Sequence, residues 1–272
     1  MSNEIPGPRE LAEHCDRAAR MTNRVRPEAV ADVPRGWARV RAGGESDEFA
    51  STGFNRVHWF TLESAITDDE LRETIGVLRS RGVTRAFFWM STAGCEGSGL
   101  TALDRIGAAP VPSVKYVVLA RHAGVCAAPR GTTLVVRGVS ARELPSVLGA
   151  MGERFSPESA QAACKLVESG IAEAFAAFEG DVPVAFAALI PDRGGDGFGH
   201  LGWAGTVSGS RGRGGQSALI AARVSRAAEL GLRWCVSETN TAIPTSLNNL
   251  IRLGFVTTLE WRVFRWDDRE GV

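Results

Sequence analysis

Residues 207–219 read Val207-Ser208-Gly209-Ser210-Arg211-Gly212-Arg213-Gly214-Gly215-Gln216-Ser217-Ala218-Leu219 and predict a strand, a glycine-rich turn and a helix. The glycines let the backbone approach a ligand closely and adopt dihedral angles that are closed to other residues. The helix begins with N–H groups that have no intrahelical partner. Because the helix dipole is positive at this end, the turn suits a phosphate or pyrophosphate, and two arginines add charge at its rim.

The surroundings of this turn narrow the class of phosphate ligand. The Gly-Lys-Ser/Thr ending of a nucleoside-triphosphate loop is missing. The Gly-x-Gly-x-x-Gly order of a dinucleotide fold does not fit, and no acidic residue suited to a ribose lies on a following strand. What remains is the pattern Arg-x-x-Gly-x-Gln, formed by Arg211, Gly214 and Gln216, followed by an amphipathic helix and a strand.

This pattern resembles the coenzyme-A loop of the GNAT superfamily of acyl-CoA-dependent N-acyltransferases, whose signature is Gln/Arg-x-x-Gly-x-Gly/Ala. Gln216 departs from the usual small residue, a departure that is tolerable because its side chain can point away from the pyrophosphate. The downstream order also resembles the family: a short buried strand at 234–237, a helix at 245–255 with a Leu-Gly-Phe ending, and a closing strand at 259–266.

The resemblance implies a donor site for acetyl-CoA, used as a co-substrate, and a primary amine as acceptor, with no metal. The amine attacks the thioester directly, and a backbone N–H at the strand end polarises the acyl carbonyl. The implied donor-binding residues are Thr206, Val207, Arg211, Gly212, Arg213, Gly214, Gly215, Gln216 and Ser217, together with Ser246 and Asn249 on the later helix.

Two residues are candidates for the base that neutralises the incoming ammonium, namely Glu238, just past the strand, and His200, on the central strand. A solvated carboxylate and a core or surface histidine are the open alternatives. The tyrosine that commonly protonates the departing thiolate in this family is replaced by Leu250. Since a thiol has a pKa of only about 8.5, the thiolate can leave without an acid, and Ser246 or Asn249 offers a hydrogen bond.

The N-terminal half has the pattern of a second copy. Gly53-Phe54 and Trp59 match Gly197-Phe198 and Trp203 at an offset of 144 residues. Where the C-terminal copy has its glycine turn, the N-terminal copy reads Glu63-Ser64-Ala65-Ile66-Thr67 and continues with acidic residues that repel a phosphate. Chance matches between two α/β segments are the alternative.

We therefore expect an α/β protein of two tandem GNAT-like domains, with a mixed, mostly antiparallel sheet flanked by helices. Residues 1–122 form a degenerate N-terminal domain and residues 130–272 the acyl-CoA-binding domain, joined by a linker at 122–131. One coenzyme A binds per chain. The loop faces ligand and not core, so Gly214→Glu abolishes binding and leaves the fold intact.

The expected function is N-acetylation of an amine of a small molecule or peptide. A non-catalytic acyl-CoA sensor and an acyl or aminoacyl transferase that uses another donor are the alternatives.

Composition excludes several other classes. The 31 basic residues balance the 31 acidic ones, which argues against a nucleic-acid partner bound through bulk positive charge. No apolar run reaches the length needed to span a bilayer, and no signal peptide is evident, so a cytoplasmic location is expected. The five cysteines lack metal-ligand spacing and are expected to be free thiols, with Cys235 filling a core position. A homodimer stays open.

Some local signals predict individual elements. Thr67 followed by Glu70 predicts a capping box, and Ser156 predicts a helix cap. We expect a strand at 132–137, helices at 141–153 and 157–169, and a hairpin of strands 172–178 and 182–190.

Overall fold

The computed structural model describes residues 4–23, 25, 30–40, 55–59, 66–92, 98–127, 131–152, 155–193 and 197–268 of the chain. These residues form helices and strands in alternation, which confirms the α/β prediction. No helix in these ranges is both long and apolar enough to cross a membrane.

In the described ranges the first half of the chain contains three helices and five strands. They are α1 (Pro8–Asn23), β1 (Val30–Val33), β2 (Gly36–Arg39), β3 (Arg56–Trp59), α2 (Asp68–Ser80), β4 (Arg85–Ser91), α3 (Ser98–Arg105) and β5 (Ala109–His122). Strands β1 and β2, and β2 and β3, are antiparallel, whereas β3 and β4 are parallel.

The second half contains four helices and six strands in the described ranges. They are β6 (Val135–Val139), α4 (Leu144–Ala150), α5 (Pro157–Glu168), β7 (Glu173–Glu179), β8 (Val182–Pro191), β9 (Phe198–Thr206), α6 (Gly215–Glu229), β10 (Trp234–Asn240), α7 (Pro244–Arg252) and β11 (Val256–Asp267). Strands β6, β7, β8 and β9 pair successively in antiparallel fashion, whereas β9 and β10 are parallel.

The two halves repeat one topology. The order β1-β2-β3-α2-β4-α3-β5 recurs as β7-β8-β9-α6-β10-α7-β11. In each copy two antiparallel pairs are followed by one parallel pair, and a helix connects the parallel strands. A parallel pair requires such a crossover, so the helix after β9 has the same structural position as the helix after β3.

The chain divides into two compact units, each made of two segments. The N-terminal unit comprises Gly7–Val117 and Leu259–Val272, and the C-terminal unit comprises Met1–Pro6 and Val118–Thr258. The last strand of each copy is divided between the units, which the contiguous ranges 1–122 and 130–272 did not anticipate. Within the N-terminal unit β11 pairs antiparallel with β4, from Trp261 opposite Ser91 to Asp267 opposite Arg85.

Each unit has its own apolar interior. In the N-terminal unit one core joins α2 and α3 to the strands, through residues such as Leu78, Leu103 and Phe88, all fully buried. In the C-terminal unit β8 is buried along almost its whole length, and Phe186 is fully buried. The burial of apolar side chains is the main favourable term for each unit.

Local predictions were confirmed where a side chain caps a helix. Thr67 accepts a hydrogen bond from the Glu70 N–H, and the Glu70 carboxylate accepts one from the Thr67 N–H, which completes the capping box. Ser156 accepts from the Ser159 N–H at the start of α5. The Glu179–Asp181 turn joins β7 to β8 as a hairpin, as expected.

The segment before α5 differs from the prediction. The strand expected at 132–137 lies at Val135–Val139, and the helix expected at 141–153 is α4, Leu144–Ala150. The reason is a turn in which the Ser140 N–H donates to the Glu143 carboxylate at 3.0 Å and the Glu143 N–H donates back to Ser140 Oγ at 3.3 Å. The hydrogen bond from the Ser140 N–H is the first cause that lowers the pKa of Glu143, to about 2.

The expected linker at 122–131 is partly ordered. His122 ends β5, the Ala123 N–H donates to the Arg233 carbonyl at 2.9 Å, and the Cys126 N–H donates to Ser225 Oγ at 3.1 Å. Residues 128–130 lie outside the described residues. The part before them is therefore attached to the C-terminal unit.

Candidate functional site

The connection from β9 to α6 forms an open, amide-rich turn. A short 3-10 turn, Ser208–Ser210, leads into Gly212 and Gly214, whose φ angles are +80° and +83°. This left-handed backbone is accessible to glycine at little cost, so the sequence at these two positions explains the turn. The predicted strand, turn and helix are confirmed.

The N-terminus of α6 has no cap from a side chain. Gly214 stands at the N-cap position, and the Ala218 N–H donates to the Gly214 carbonyl at 2.9 Å. Within the described ranges the N–H groups of residues 212–217 donate to no backbone carbonyl. A row of such N–H groups at the positive end of a helix dipole attracts an anion.

The far side of the turn packs against residues just before β6. Thr132 Oγ1 donates to the Arg213 carbonyl at 3.0 Å. A Cβ on Gly214 would lie 3.3 Å from the Thr132 Cβ, and one on Gly215 would lie 3.3 Å from Leu134 Cδ1. The expectation that Gly214 faces only ligand is therefore wrong, and Gly214→Glu would strain the packing as well as the site.

The two rim arginines differ in their partners. Arg213 Nη1 lies 2.6 Å from both carboxylate oxygens of Glu179, on the β7–β8 hairpin. Arg211 is exposed and forms no ion pair with any described residue. Most of the uncompensated positive charge at this turn therefore belongs to Arg211.

Gln216 connects the beginning of α6 to α7. Its Nε2 donates to Ser246 Oγ at 3.1 Å, and its Oε1 accepts from Asn249 Nδ2 at 2.7 Å. Arg252 Nη2 donates to Asn249 Oδ1 at 2.6 Å and extends the chain of contacts. The Gln216 side chain thus points toward α7, where Ser246 and Asn249 hold it.

The remaining strand-end residues belong to the sheet. Thr206, the last residue of β9, lies opposite Ala185, and the Val207 N–H donates to the Val184 carbonyl at 3.0 Å. Ser217 lies in the first turn of α6. The pairing of Thr206 with Ala185 and the hydrogen bond from Val207 attach the start of the turn to β8.

The structure brings His200 and Glu238 to the same face of neighbouring strands. His200 of β9 lies opposite Val236 of β10, and Glu238 is two residues further along β10. Side chains two residues apart on a strand share a face. Strand β10 continues to Asn240, so Glu238 lies within it and not past its end as expected.

Charge and burial act on His200 in opposite directions. Burial is the first cause and lowers its pKa, the Glu238 carboxylate raises it, and the Arg223 guanidinium lowers it. The imidazole is therefore mainly neutral at neutral pH, the form that accepts a proton.

Arg223 was not singled out in the sequence. It is 2% exposed, and burial lowers its pKa to about 9, which leaves it charged at neutral pH. It lies four residues after Leu219 and four before Ala227, on the apolar stripe of α6, and that spacing is the signal that marks it as buried.

Leu250 and Cys235 are both buried. Leu250, which the sequence pattern predicts at the position where the resembled family commonly has a tyrosine, is 3% exposed and is a core residue. Cys235 is fully buried, and burial raises the pKa of its thiol to about 12, which makes it a core residue and not a nucleophile. In the described part of the chain no three His, Cys, Asp or Glu side chains group as metal ligands do.

Solved structures share this fold. No family model matches the sequence, and no curated protein matches it. A GCN5-related N-acetyltransferase from Kribbella flavida is 17% identical with a TM-score of 0.63, over 93% of this chain and 97% of that one. An acetyltransferase of the GNAT family from Colwellia psychrerythraea is 16% identical with a TM-score of 0.55, over 94% and 97%.

A tandem protein is also similar. A tandem GNAT protein from the clavulanic acid biosynthesis pathway, in a structure without AcCoA, is 14% identical with a TM-score of 0.61, over 78% of this chain and 74% of that one. The repeated topology of the two halves agrees with that arrangement. The chain therefore has the fold of the GNAT acetyltransferases in tandem form.

Proposed function

We propose that the C-terminal unit binds an acyl-CoA, with acetyl-CoA as the expected donor, and transfers its acyl group to an amine of a small molecule or peptide. The observation that supports this most is the row of N–H groups at residues 212–217, which find no backbone carbonyl within the described ranges. Such a row fits a pyrophosphate because each oxygen accepts hydrogen bonds and the helix dipole favours negative charge.

The side chains around the turn fit the same ligand. Arg211 contributes a positive charge beside the N–H groups, whereas the charge of Arg213 is compensated by Glu179. Ser246 and Asn249 act through Gln216, which holds the start of α7 against the start of α6. The donor site is therefore supported by both helices.

The donor supplies an activated thioester, and the chain supplies positioning and proton removal. Glu238 and His200 share one face of the sheet, which supports either as the group that takes a proton from the incoming ammonium. The expected contribution of proton removal is about two to four orders of magnitude in rate. Cys235 takes no part, because its buried thiol stays protonated.

Binding and turnover are measured separately. Calorimetric titration with acetyl-CoA is expected to show a stoichiometry near one, because the N-terminal copy has no glycine turn. A thiol-release assay with a broad panel of amines then identifies the acceptor. Absence of binding to any acyl-CoA would reject the proposal and favour the alternative transferase that uses another donor.

Glu238→Gln tests the role of Glu238 as the base independently of donor binding. Turnover at neutral pH is expected to fall by roughly two orders of magnitude, with donor affinity nearly unchanged, because the amide cannot accept the proton. His200→Asn is the matched variant on the neighbouring strand. Unchanged turnover in Glu238→Gln would assign the proton to His200 or to a water chain.

A non-catalytic acyl-CoA sensor is a second candidate. The observation that favours it is Leu250, a buried apolar residue at the position where this family commonly has a tyrosine. A sensor binds the donor with the same stoichiometry and releases no thiol above background with any amine. The calorimetric and thiol-release experiments together distinguish it from the enzyme.

A further inference from the structure

Arg223 is a buried charge whose contacts are with main-chain oxygens. Its Nε donates to the Leu219 carbonyl at 3.0 Å, and its Nη1 lies 3.0 Å from the Ala188 carbonyl and 3.4 Å from the Gly202 carbonyl. No carboxylate pairs with it in the described ranges. Burying a charge without an anionic partner is costly, and an apolar side chain of similar length would fill the space without that cost.

The two carbonyls that Nη1 contacts belong to the neighbouring strands β8 and β9. Ala188 of β8 faces Gly202 of β9, and between this pair and the pair Phe186–Gly205 the strand β9 has one extra residue. Trp203, inside this bulge, has a φ of +56°. A bulge interrupts the ladder and re-aims the strand, so a group that binds both strands at its edge holds their separation.

The bulge lies between the candidate base and the donor turn. His200 is two residues before Gly202, and a Cβ on Gly202 would lie 3.5 Å from the His200 Cδ2. Thr206, at the other side of the bulge, ends the strand that leads into the turn. Arg223 is carried by the helix that follows the turn, and its guanidinium contacts β8 and β9 at the bulge, two residues along β9 from His200.

The charged groups that act on His200 come from two elements. Glu238 acts from β10 and Arg223 acts from α6, with opposite signs. Cys235, also on β10, is uncharged at neutral pH because burial raises its pKa. The guanidinium thus opposes the carboxylate that lies on the same face as His200.

We infer that Arg223 is a positioning residue of the proposed acyltransfer site, which clamps β8 and β9 at the bulge and sets a fixed positive charge at Gly202, two residues along β9 from His200. The inference rests on the proposed function, and it has two parts. The clamp depends on the forked guanidinium, whereas the charge is kept by any cation.

Histidine NMR titration tests the charge. The chain has four histidines, and His200→Asn assigns the signal of interest. In Arg223→Met the His200 midpoint is expected to move to higher pH, because a positive charge that disfavours protonation is gone. In Arg223→Lys the His200 midpoint is expected to stay near that of wild type, because lysine keeps the positive charge. Arg223→Gln replaces the methionine variant if that protein does not fold.

Arg226→Met is the matched control on the same helix. Arg226 pairs with Glu173 and Glu229 and makes no contact with β9 among its hydrogen bonds. Its loss is expected to leave the His200 midpoint unchanged. Equal midpoints in wild type and both neutral Arg223 variants, or an equal shift in Arg226→Met, would overturn the charge part of the inference.

Amide hydrogen exchange tests the clamp. Exchange of the β8 and β9 amides beside the bulge is expected to accelerate roughly tenfold or more in both Arg223→Met and Arg223→Lys, because lysine cannot bridge the same carbonyls. Wild-type protection in Arg223→Lys would show that a point charge suffices and would overturn the clamp.

Turnover separates this inference from the proposed function. In the thiol-release assay kcat for Arg223→Met is expected to fall roughly tenfold or more, because the strand that carries His200 is no longer held at the bulge, while donor affinity measured by calorimetry stays within about threefold. A kcat that stays at the wild-type value in Arg223→Met would overturn the inferred positioning role. A wild-type protein without thiol release would reject the proposed transferase, whereas the titration and exchange results would still decide the effect of Arg223 on His200 and on the bulge.

Discussion

Helix α2 of the N-terminal unit and helix α6 of the C-terminal unit follow equivalent strands, β3 and β9, in the repeated order. At α2 the Thr67–Glu70 capping box satisfies the helix end, and the first turn contains Asp68, Asp69 and Glu70. At α6 the N-cap is Gly214, no side chain caps the helix, and the first turn has no acidic residue.

The same fold thus has a capped helix N-terminus in one copy and an uncapped one at the equivalent position of the other. Side-chain oxygens of Thr67 and Glu70 accept hydrogen bonds from two of the N–H groups at this helix end, and the carboxylates of the first turn repel an anion. At α6 the N–H groups of residues 212–217 donate to no backbone carbonyl of a described residue, and glycine lets the backbone approach a ligand closely. The N-terminal helix end is closed by its own sequence, and the C-terminal one is open.

The largest expected effect comes from closing the C-terminal helix end with a charge. Gly212 has a left-handed φ, and a Cβ there meets nothing within 4 Å. Aspartate and asparagine both tolerate this backbone. Gly212→Asp is expected to weaken acetyl-CoA binding by roughly a hundredfold or more, because the carboxylate repels the pyrophosphate.

Gly212→Asn is the control for shape without charge. It is expected to bind within about tenfold of wild type, since the two side chains have nearly the same size. Calorimetric titration measures both proteins. Similar affinities for the aspartate and asparagine variants would mean that the anion does not bind at this turn.

The histidines on the equivalent strands sharpen the comparison. His58 of β3 is 3% exposed and stacks on Trp37, with ring centroids 4.2 Å apart. Burial first, and then Arg56, Arg39 and Arg20, lower its pKa well below 6.5. No carboxylate is among these causes, whereas Glu238 raises the pKa of His200.

A pH dependence of stability follows from His58. Below about pH 6.5 the unfolded chain binds a proton that the folded His58 does not, so the free energy of unfolding falls as the pH falls. The slope is up to about 1.4 kcal/mol per pH unit until the folded pKa is reached. His58→Phe keeps an aromatic ring and removes this part of the slope.

Urea denaturation between pH 7.5 and 5.5 measures the effect. His122→Phe is the control, since His122 also stacks on a tryptophan, Trp234, at 3.8 Å but is only half-buried. A decline in His58→Phe as steep as that of wild type would show that other groups cause the acid sensitivity.

The smallest expected effect concerns the closed helix end. Thr67→Ala removes the cap of α2 and is expected to lower the free energy of unfolding by about 1 kcal/mol. Glu73→Ala, at an exposed position in the same helix, is the control and is expected to stay within about 0.5 kcal/mol of wild type. Equal losses in the two variants, measured by urea denaturation, would mean that the capping box contributes nothing specific.

Much of the fold could be predicted from local sequence. The order of strands and helices, the glycine turn before α6, the caps at Thr67 and Ser156 and the β7–β8 hairpin all depend on residues close together in the chain. The replacement of the resembled family's tyrosine by Leu250 rests on a single motif position and stays a prediction. Such signals are local because periodicity, turn residues and caps act within a few residues.

Long-range contacts could not be predicted from these local signals. The sequence did not reveal that β5 and β11 are each divided between the two units. The packing of Thr132 against Gly214 and the exact extent of the strand that carries Glu238 were also missed. Each depends on which distant segment lies alongside, and no local pattern encodes that choice.

The sequence by itself determined the repeated order of elements and an open, glycine-rich helix end in one copy against a capped, acidic end in the other. Only the tertiary structure showed His200 and Glu238 on one face, Gln216 turned toward α7, and Arg223 buried at the bulge. The physical reason is that backbone conformation follows from neighbouring residues, whereas the burial of a charge and the meeting of two strands follow from how the whole sheet and its helices pack.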